Sequence, residues 1–469
     1  MLTQVGLIAP LGLPDGLTGM TADSRAVRPG MLYAALPGTR VDGRDVIGDA
    51  VARGAVAVLA DTGTTWPSGV PARPMIHAAQ PRRALALLAA LQAGPQPALQ
   101  VAITGTNGKT STAEFLRQLW ADAGQQAASL GTLGLTAPGH APTAGLTTPD
   151  PVALAETLAA LARDGVGAVA MEASSHGLHQ FRLDGVRLRA AGFTNLTRDH
   201  LDYHGTLDAY RAAKLRLFTE LLPDGAPAVA MADADADMLR AIRACRDLHL
   251  VGAGGDLIRL LGTVPHPGGQ TLDIETAAGR RTLDLPLPGR FQADNALVAA
   301  GLAMVTGLPD ALDRLPQLQG VRGRLELAAT PGGAAVYVDY AHTPDALARL
   351  LQALRPHTMG RLHLVFGAGG DRDGGKRPLM GAAAGAADQV IVTDDNPRGE
   401  DPAVIRAAVI RGCPGAREIG DRRAAIAAAL QDLRPGDVLA VAGKGHEQGQ
   451  TVGGVTLPFD DVATVRGLV

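Results

Sequence analysis

The chain has 469 residues, a length that predicts about three domains. Of these residues, 46% are hydrophobic and 19% charged, a balance that excludes a disordered chain. Its formal net charge of −3 excludes the basic surface that nucleic-acid binding requires. Cys245 and Cys413 lack metal-ligand spacing, and no apolar run has the length of a membrane span, so we expect a cytoplasmic protein without disulfides.

Two breaks divide the chain into three predicted domains. "LQAGPQPALQ", just before the glycine loop of the second domain, is rich in Pro, Gly and Gln, and "LQGVRGRLE" near residue 320 is interrupted by glycines. Such stretches end helices and strands and are typical of linkers. We therefore predict domains at 1–98, 99–322 and 323–469. The first domain has the least regular pattern and is predicted only as mixed α/β.

The second domain begins with "VAITGTNGKTSTAEFL", an apolar strand followed by a glycine loop and the start of a helix. Backbone N–H groups and the helix dipole converge at such a junction, which favours a bound phosphate. Lys109 would supply a charge for the outer phosphates and Thr110 a hydroxyl for Mg²⁺. The strict P-loop pattern has Gly where Ile103 stands, so Gly105 and Gly108 form a variant of it. A tight turn without a ligand is the alternative.

Further apolar runs in this domain, such as "VGAVAMEAS" and "APAVAMA", alternate with helical segments, which predicts a mainly parallel sheet covered by helices. Glu172 ends one of these strands, where an unpaired carboxylate would be costly. A Mg²⁺ ion beside the phosphate loop would remove that cost. The alternative is that Glu172 caps the next helical turn.

The segment "TNLTRDHLDYHG" places His200, His204, Asp199 and Asp202 after another predicted strand. A histidine there suits a metal ligand, a hydrogen-bond donor to phosphate, or a solvated loop position. The residue types alone do not decide among these three roles.

Lys214, in "YRAAKLRLF", is predicted to lie on an apolar helix face. Its neighbours at helical spacing are Tyr210, Leu217 and Phe218. Desolvation would lower the pKa of the lysine and give a neutral amine able to form a Schiff base or a carbamate with CO₂. The alternative is a buried aliphatic stem with its ammonium in water.

The third domain contains "RLHLVFGAGGDRD", "DQVIVTDDNPR" and "DVLAVAGKGHE", each a buried strand followed by a loop dense in Gly and charge. Ligands of open α/β sheets bind outside the carboxyl ends of the strands. The pattern therefore predicts a Rossmann-like domain in which the three loops form one shared site.

Together these motifs resemble the Mur ligases, over nearly the whole chain, and within them the branch that adds the third residue of the peptidoglycan stem peptide. The resemblance implies an ATP-dependent amide ligase with three α/β domains. The first would hold the uridine end of UDP-N-acetylmuramoyl-L-alanyl-D-glutamate, the second ATP, and the third the incoming diamino acid. The motifs that carry it are "TGTNGKT", "MEASSHGL", "TNLTRDHLDYHGT", "YRAAKLRLF", "VDYAHTPDAL", "GAGGDRDGGKRPLM", "TDDNPR" and "GKGHE".

The resemblance also implies roles for individual residues. Those matching nucleotide-contacting positions are Gly105, Thr106, Asn107, Gly108, Lys109, Thr110, Ser111, Asn295, Arg324, Asp339 and His342. Those matching positions that face the UDP-precursor are Ser24, Thr39, Arg40, Val41, Thr147, Thr148, Ser174, Gln180 and Arg182, although Ala22 replaces a frequent Leu. The magnesium positions are matched by Thr110, Glu172, His200 and Lys214, and Lys214 matches a lysine carbamylated by CO₂.

The implied chemistry is attack of the glutamate γ-carboxylate on the γ-phosphorus of ATP, followed by displacement of phosphate from the acyl phosphate by an amine. Both reactants of the first step are anions. Lys109, Lys214, Glu172 and His200 are therefore predicted to be catalytic, together with one or two Mg²⁺ ions that reduce the repulsion.

The third domain predicts which amino acid is added. Meso-diaminopimelate differs from lysine by a second carboxylate, which Arg398 and Arg372 can bind bidentately. Gly443 and Glu447 would suit its distal ammonium, and in the family the sequence Asp395, Asn396, Pro397 and Arg398 accompanies diaminopimelate. We therefore predict meso-diaminopimelate, with L-lysine or L-ornithine as alternatives.

Other classes fit less well. A P-loop switch or motor protein has no use for a lysine on an apolar helix face or for "DNPR" in a separate domain, and a non-enzymatic nucleotide-binding scaffold fits less well still. Folylpolyglutamate synthetase shares the phosphate loop and the lysine but not a uridine-binding domain or "GKGHE". We expect a monomer.

Overall fold

The computed structural model describes residues 16–38, 42–140, 146–197, 199–266, 268–371 and 373–469. Within them the chain forms three α/β units, each built around its own sheet, and a C-terminal hairpin. Four residues assigned above to ligand sites, Thr39, Arg40, Val41 and Arg372, lie outside the described residues. Among the helices of the described part, none is long and apolar enough to cross a membrane.

The first unit is a parallel sheet with strand order β1-β2-β3-β4. Its strands are short and apolar, and Leu32, Leu59 and Ile76 are buried against Leu85 and Leu88 of the second helix. The strands are β1 (Gly19–Thr21), β2 (Met31–Ala34), β3 (Ala57–Asp61) and β4 (Met75–Ala78), and the helices are α1 (Ile47–Ala52) and α2 (Pro81–Ala93).

The second unit contains a ten-stranded sheet. Its strands are β5 (Leu99–Thr104), β6 (Ala127–Gly131), β7 (Gly134–Thr136), β8 (Ala168–Glu172), β9 (Ala190–Phe193), β10 (Ala228–Met231), β11 (Leu248–Gly252), β12 (Ile258–His266), β13 (Gly269–Thr276) and β14 (Gly279–Leu285). Its helices are α3 (Lys109–Asp122), α4 (Pro151–Arg163), α5 (Ser175–His179), α6 (Leu201–His204), α7 (Leu207–Arg216), α8 (Ala236–Arg243) and α9 (Arg290–Val305).

The order of this sheet is β14-β13-β12-β11-β10-β9-β5-β8-β6-β7. The strands from β12 to β6 run parallel, and antiparallel pairings with β13 and β7 follow at the two sides, which confirms the predicted mainly parallel sheet. One face packs against α3 and α9 through Phe115, Trp120 and Leu297, and the other face packs around Leu158 and Phe193. With both faces covered, the central strands can be apolar throughout.

The third unit has strand order β15-β16-β20-β17-β18-β19, parallel except for β15, and confirms the predicted Rossmann-like domain. The carboxyl ends of β17, β18 and β20 are adjacent, as predicted. The strands are β15 (Glu326–Ala329), β16 (Ala335–Asp339), β17 (Leu362–Phe366), β18 (Gln389–Val392), β19 (Arg417–Glu418), β20 (Val438–Ala442), β21 (Gly449–Val452) and β22 (Val455–Pro458). The helices are α10 (Pro344–Leu354), α11 (Lys376–Ala384), α12 (Pro402–Ile410), α13 (Arg422–Gln431) and α14 (Asp461–Arg466).

Candidate active site

The loop between β5 and α3 requires glycine at both of its turns. Gly105 has a φ of +153° and Gly108 a φ of +84°, in the region that side chains disfavour. A Cβ atom on Gly105 would collide with Thr194 Oγ1, and one on Gly108 would collide with Asn295 Oδ1. The loop is therefore packed closely against the end of β9 and against α9. Because α3 begins directly after Gly108, its free N–H groups and dipole produce the predicted anion-binding geometry.

Two lysine side chains converge on this loop. Lys109 Nζ donates hydrogen bonds to the carbonyl oxygens of Gly105, at 2.9 Å, and Thr106, at 2.8 Å. Lys214 Nζ, from α7, donates to the same Gly105 carbonyl at 2.7 Å. Burial lowers the pKa of Lys109 despite the opposing charge of Glu172. The loop thus brings together two amines that α3 and α7 supply from distant parts of the sequence.

Lys214 is only 1% exposed, so the alternative in which its ammonium reaches water is wrong. Its Nζ lies 4.5 Å from the centre of the Tyr210 ring, and Leu217 and Phe218 beside it are fully buried. Burial, reinforced by the charge of Lys109, holds the pKa of Lys214 well below its ordinary value. The environment therefore favours the neutral, nucleophilic amine.

Glu172 points at the phosphate loop. Its Oε1 accepts hydrogen bonds from Thr110 Oγ1 at 2.9 Å and from the Thr132 backbone N–H at 2.7 Å. The helix that follows β8 is capped by Ser174, whose hydroxyl accepts from the Gly177 N–H, so the helix-capping role considered for Glu172 is wrong. The carboxylate is 2% exposed and is held at the first turn of α3.

The oxygen atoms of Glu172 and Thr110 fit a magnesium ion. Carboxylate and hydroxyl oxygens are the ligands that Mg²⁺ takes beside phosphates, and it retains several waters. Both residues line a cavity of about 520 Å³ that runs along α3. Within the described ranges, no cluster of three or more His, Cys, Asp or Glu side chains is arranged for a metal. The pair therefore suits an ion completed by nucleotide and water.

His200 lies at the start of α6, with a φ of +51° and a half-exposed side chain. Its ring centroid is 4.9 Å from that of His176 and 6.2 Å from that of Tyr210, the ring beneath Lys214. The neighbouring His204 is more enclosed, and burial together with the surrounding histidines lowers its pKa to about 4. The histidine segment therefore borders the lysine site, and His204 is neutral at physiological pH.

A chain of hydrogen bonds leads away from Glu172 through the residues expected to face the UDP-precursor. Thr132 Oγ1 lies 3.0 Å from Thr147 Oγ1, and Thr148 Oγ1 donates to the Glu172 carbonyl at 2.9 Å. Thr148 Oγ1 also lies 3.0 Å from Ser174 Oγ.

Gln180 and Arg182, the other two residues expected to face the UDP-precursor in this unit, belong to the same hydrogen-bonded group. Arg182 donates through Nη1 to the Thr148 carbonyl and through Nη2 to Gln180 Oε1, both at 2.7 Å. The structure thus places Thr147, Thr148, Ser174, Gln180 and Arg182 in one polar group beside Glu172. Ser24 lies in the first unit, in a short 3₁₀ turn whose N-terminus is capped by Asp23.

Asp339 ends β16, and Arg324 precedes β15, both in the third unit. Asp339 accepts hydrogen bonds from two backbone N–H groups at 2.8 Å, and burial raises its pKa. The Arg324 guanidinium lies 5.1 Å from the centre of the Tyr340 ring, and His342 Nδ1 lies 2.8 Å from the Tyr340 carbonyl oxygen. Arg324, Asp339 and His342 therefore lie close together, and their contact with a nucleotide stays a prediction.

The loops after β17, β18 and β20 meet at one place, as predicted. Arg398, with a φ of +53°, donates from Nη1 to the Gly370 carbonyl at 2.7 Å, which joins the first two loops. Asn396 Nδ2 donates to Glu447 Oε2 at 2.8 Å, which joins the second and third. Pro397 packs its carbonyl against Gly370, where a side chain would collide with it.

Acidic and basic side chains are buried at the bottom of this pocket. Burial raises the pKa of Asp395, and a Cβ atom on Gly443, which has a φ of +116°, would lie 2.6 Å from Asp395 Oδ2. Lys444 Nζ lies 3.8 Å from Asp395 Oδ1.

Sequence reasoning missed Thr132, Lys444 and Arg422 as neighbours of the site. The only signal for Lys444 was its position two residues after a buried strand, within "GKGHE".

Comparison with known proteins identifies three matching family models. They are the Mur ligase family, catalytic domain, over residues 16–94, the Mur ligase middle domain over 103–303, and the Mur ligase, glutamate ligase domain over 323–445. The UDP-N-acetylmuramoyl-L-alanyl-D-glutamate–2,6-diaminopimelate ligase of Caulobacter vibrioides is 56% identical over 467 residues, covering 97% of this chain and 96% of the relative.

Two further similarities cover most of the chain. The ligase of the same name from Rhizobium meliloti is 54% identical over 456 residues, covering 96% of this chain and 93% of the relative. A solved structure of a ligase with that name has a TM-score of 0.74 and 36% identity, covering 96% of this chain and 94% of that one.

Proposed function

We propose that this chain, which belongs to the Mur ligase family, is an ATP-dependent ligase. It joins meso-diaminopimelate to the D-glutamate γ-carboxylate of UDP-N-acetylmuramoyl-L-alanyl-D-glutamate. The observation that carries the proposal is the convergence of Lys109 and Lys214 on one loop carbonyl, beside the buried Glu172 and Thr110. The full-length diaminopimelate ligase relatives support this reaction over the folylpolyglutamate alternative.

The phosphate loop meets the main electrostatic difficulty of the reaction, in which a carboxylate attacks a triphosphate. The N–H groups at the start of α3 and the Lys109 ammonium bind the phosphates and stabilise the charge that develops on the transferring group. Asn295, Arg324, Asp339 and His342 complete the nucleotide site from α9 and the third domain. The products of this first step are an acyl phosphate and ADP, and attack by the amine then releases phosphate.

Thr110 and Glu172 would hold magnesium, with His200 and Lys214 completing the set. When bound, the ion reduces the negative charge of the triphosphate. We assign to Lys214 a carbamate, in which the neutral amine nitrogen bonds to the carbon of CO₂ and releases a proton to solvent. The support for this assignment is its burial and the lowered pKa, because only a neutral amine reacts with CO₂.

The UDP-precursor would lie along the polar group beside Glu172. Arg182, held by its bonds to Thr148 and Gln180, presents a fixed guanidinium to the anionic precursor. Thr147 and Ser174 would orient the D-glutamate toward the phosphate loop, and Ser24 with residues 39–41 would hold the uridine diphosphate.

The diamino acid would bind where the three charged loops of the third domain meet. Arg398 and Arg372 are assigned to the distal carboxylate, and Glu447 with Gly443 to the distal ammonium. A pocket built for that carboxylate rejects lysine, because two cations would be left unpaired on binding. Asp395, Asn396 and Pro397 shape the pocket.

The test is a comparison of kcat/KM for meso-diaminopimelate, L-lysine and L-ornithine, following phosphate release from ATP. We expect release only when the UDP-precursor and a diamino acid are both present, with a preference for meso-diaminopimelate of about 10³-fold or more, as for sites that pair a specific polar group. A preference for lysine or ornithine would overturn the choice of amino acid, and release without the UDP-precursor would overturn the ligase itself.

Arg398→Ala and Arg398→Lys form the matched pair for this test. Both variants place a non-glycine residue at the same left-handed position, but only Lys keeps a charge, and neither keeps the planar fork. We expect Arg398→Ala to lose most of the preference for meso-diaminopimelate over the substrate L-lysine. Arg398→Lys should recover part of that preference. Equal preferences in wild type and Arg398→Ala would contradict the role of Arg398.

The proposal also covers the oligomeric state, the location and the domain boundaries of the protein. We infer that it acts as a monomer in the cytoplasm, where ATP and the nucleotide precursor are present, and that its domains span 1–98, 99–322 and 323–469. The matched family models, which end and begin near these boundaries, support the division.

A further inference from the structure

Lys444 is fully buried at the floor of the amino-acid pocket, although it belongs to none of the roles assigned so far. Its side chain has 0% exposure, and Nζ lies 3.2 Å from Asn396 Oδ1 and 3.3 Å from Glu447 Oε2. A lysine without access to water requires several acceptors to replace its hydration. Here the acceptors come from two different loops, so the ammonium joins the loop after β18 to the loop after β20.

The contacts of Lys444 fix the orientation of the Asn396 amide. Asn396 Oδ1 accepts hydrogen bonds from Lys444 Nζ and from the Thr451 N–H, at 2.9 Å. Its Nδ2 must then point the other way, where it donates to Asp395 Oδ1 at 3.1 Å and to Glu447 Oε2 at 2.8 Å. With two donors at the oxygen and two acceptors at the nitrogen, the reverse orientation would lose all four bonds.

A second buried cation completes the cluster. Arg422, 1% exposed at the start of α13, pairs with the fully buried Asp461 at 2.7 Å and donates to the Ala442 carbonyl at 3.0 Å. Ala442 ends β20, so this pair anchors the strand end from which Lys444 projects. Its charge also acts on Asp395.

The cluster contains three acidic and two basic side chains. Asp395, Glu447 and Asp461 stand against Lys444 and Arg422, and Glu447 is the one that reaches solvent, with its side chain 34% exposed. Lys444 and Asn396 both bind Oε2 of Glu447. Among the described residues, Oε1 of Glu447 takes part in no hydrogen bond. One oxygen is therefore held by the protein, and the other is free for a ligand cation.

We propose that Lys444 is a positioning residue of the amino-acid pocket: it binds Asn396 and Glu447 at the same time, and so fixes the free Glu447 oxygen toward the ammonium of the incoming diamino acid. The proposal rests on the proposed ligase function. Without Lys444, the Asp395 and Glu447 carboxylates face each other with one donor fewer, and Glu447 can rotate into solvent. Loss of Lys444 should therefore weaken binding of the diamino acid and leave binding of ATP unchanged.

The test is Lys444→Met, which keeps the length and apolar stem of the side chain and removes the ammonium. We expect the KM for meso-diaminopimelate to rise about tenfold or more, as when a charged hydrogen bond is lost. The KM values for ATP and for the UDP-precursor should stay within about twofold of wild type, because their sites are formed by other loops. All three KM values are measured at a temperature below the melting temperature of the variant.

His363→Gln is the matched control. His363 is also buried in the third domain and lies 3.1 Å from Asp437 Oδ2, at the opposite end of β17 and β20 from the pocket. This variant should lower the melting temperature and leave the KM for the diamino acid unchanged, so it separates general destabilisation from loss of positioning.

If Lys444→Met does not fold, Lys444→Gln decides the question, because its amide fills the site and can still donate to Asn396. We expect a smaller rise in the same KM. An unchanged KM in the folded variant, or an equal rise in all three KM values, would overturn the proposal. Wild-type enzyme that ligates none of the diamino acids would instead overturn the proposed function, so the two failures are distinguishable.

Discussion

At the scale of single residues, burial determines what Lys214 can do. Folding removes its amine from water and lowers its pKa well below 10.5. Between the folded-state value and 10.5 the unfolded chain binds more protons than the folded one, so stability rises with pH across that window. At neutral pH the residue therefore lowers stability. Such a cost is typical of functional sites, and a carbamate would convert it into an anion beside the phosphate loop.

We expect Lys214→Ala to lose nearly all ligation and to regain part of it when formate or acetate is added. A short carboxylate can occupy the space of the missing side chain and supply the anion that the carbamate would provide. The measurement is kcat with increasing carboxylate concentration, together with the ¹³C NMR signal of protein exposed to labelled CO₂.

Lys214→Arg is the control, because it keeps a positive charge and cannot form a carbamate. It should be inactive and show no rescue, since the guanidinium fills the space. Full activity in Lys214→Ala, or the same labelled signal in wild type and Lys214→Ala, would contradict the carbamate.

At the scale of elements, α3 offers a comparison between its two ends. Gly108 precedes the helix with a φ of +84° and faces Asn295, whereas Gly124 follows it with a φ of +81° and open space around its Cβ position. Alanine at either position adopts a disfavoured conformation, at a cost of about 1 kcal/mol. Only at Gly108 does the added methyl group also displace a residue of the nucleotide site.

We therefore expect Gly124→Ala to lower stability slightly and leave the KM for ATP unchanged. Gly108→Ala should lower stability further and raise the KM for ATP about tenfold or more, because the N–H groups of the loop lose their alignment with the phosphates. Melting temperatures and ATP kinetics of the two variants check this. Equal ATP kinetics would show that the loop tolerates displacement of Asn295.

The sequence predicted best those strands and loops that carry a recognisable motif. The phosphate loop, and the strands before "GGDRD", "DNPR" and "GKGHE", follow from local patterns, because an apolar strand and a glycine-rich turn are encoded within about ten residues. Lys444 and Arg422 could not be assigned in that way. Their partners lie on other loops, and a charged residue has the same local pattern whether it is buried or solvated.

At the scale of the whole molecule, the site depends on how separate units meet. Lys109, Glu172 and Lys214 belong to the second unit, whereas Arg324, Asn396 and Glu447 belong to the third. The sequence predicted each set, and it predicted that the two serve one reaction through the family resemblance alone. No periodicity in a single sequence indicates which surfaces of two units touch, because such contacts depend on side chains far apart in the chain.

One contact between the second and third units is pH-dependent. The Gly289 N–H donates to His357 Nε2 at 2.8 Å, and His357 Nδ1 lies 3.0 Å from the His266 carbonyl oxygen. Nδ1 therefore carries the proton, and the ring must be neutral to accept at Nε2. Burial lowers the pKa of His357 below its ordinary 6.5. The contact is thus complete above pH 6.5 and is lost as the pH falls through the lower, folded-state value.

Replacing this histidine should flatten the pH dependence of stability. We expect His357→Leu to be less stable than wild type near neutral pH by about 1–3 kcal/mol, since the Gly289 N–H loses its buried acceptor. Between about pH 7.5 and 5.5 wild type should lose more stability than the variant, because only wild type must keep a buried imidazole neutral while the unfolded chain takes up the proton. Denaturant unfolding at a series of pH values measures both slopes. Parallel slopes for wild type and His357→Leu would show that the titration of His357 does not govern this contact.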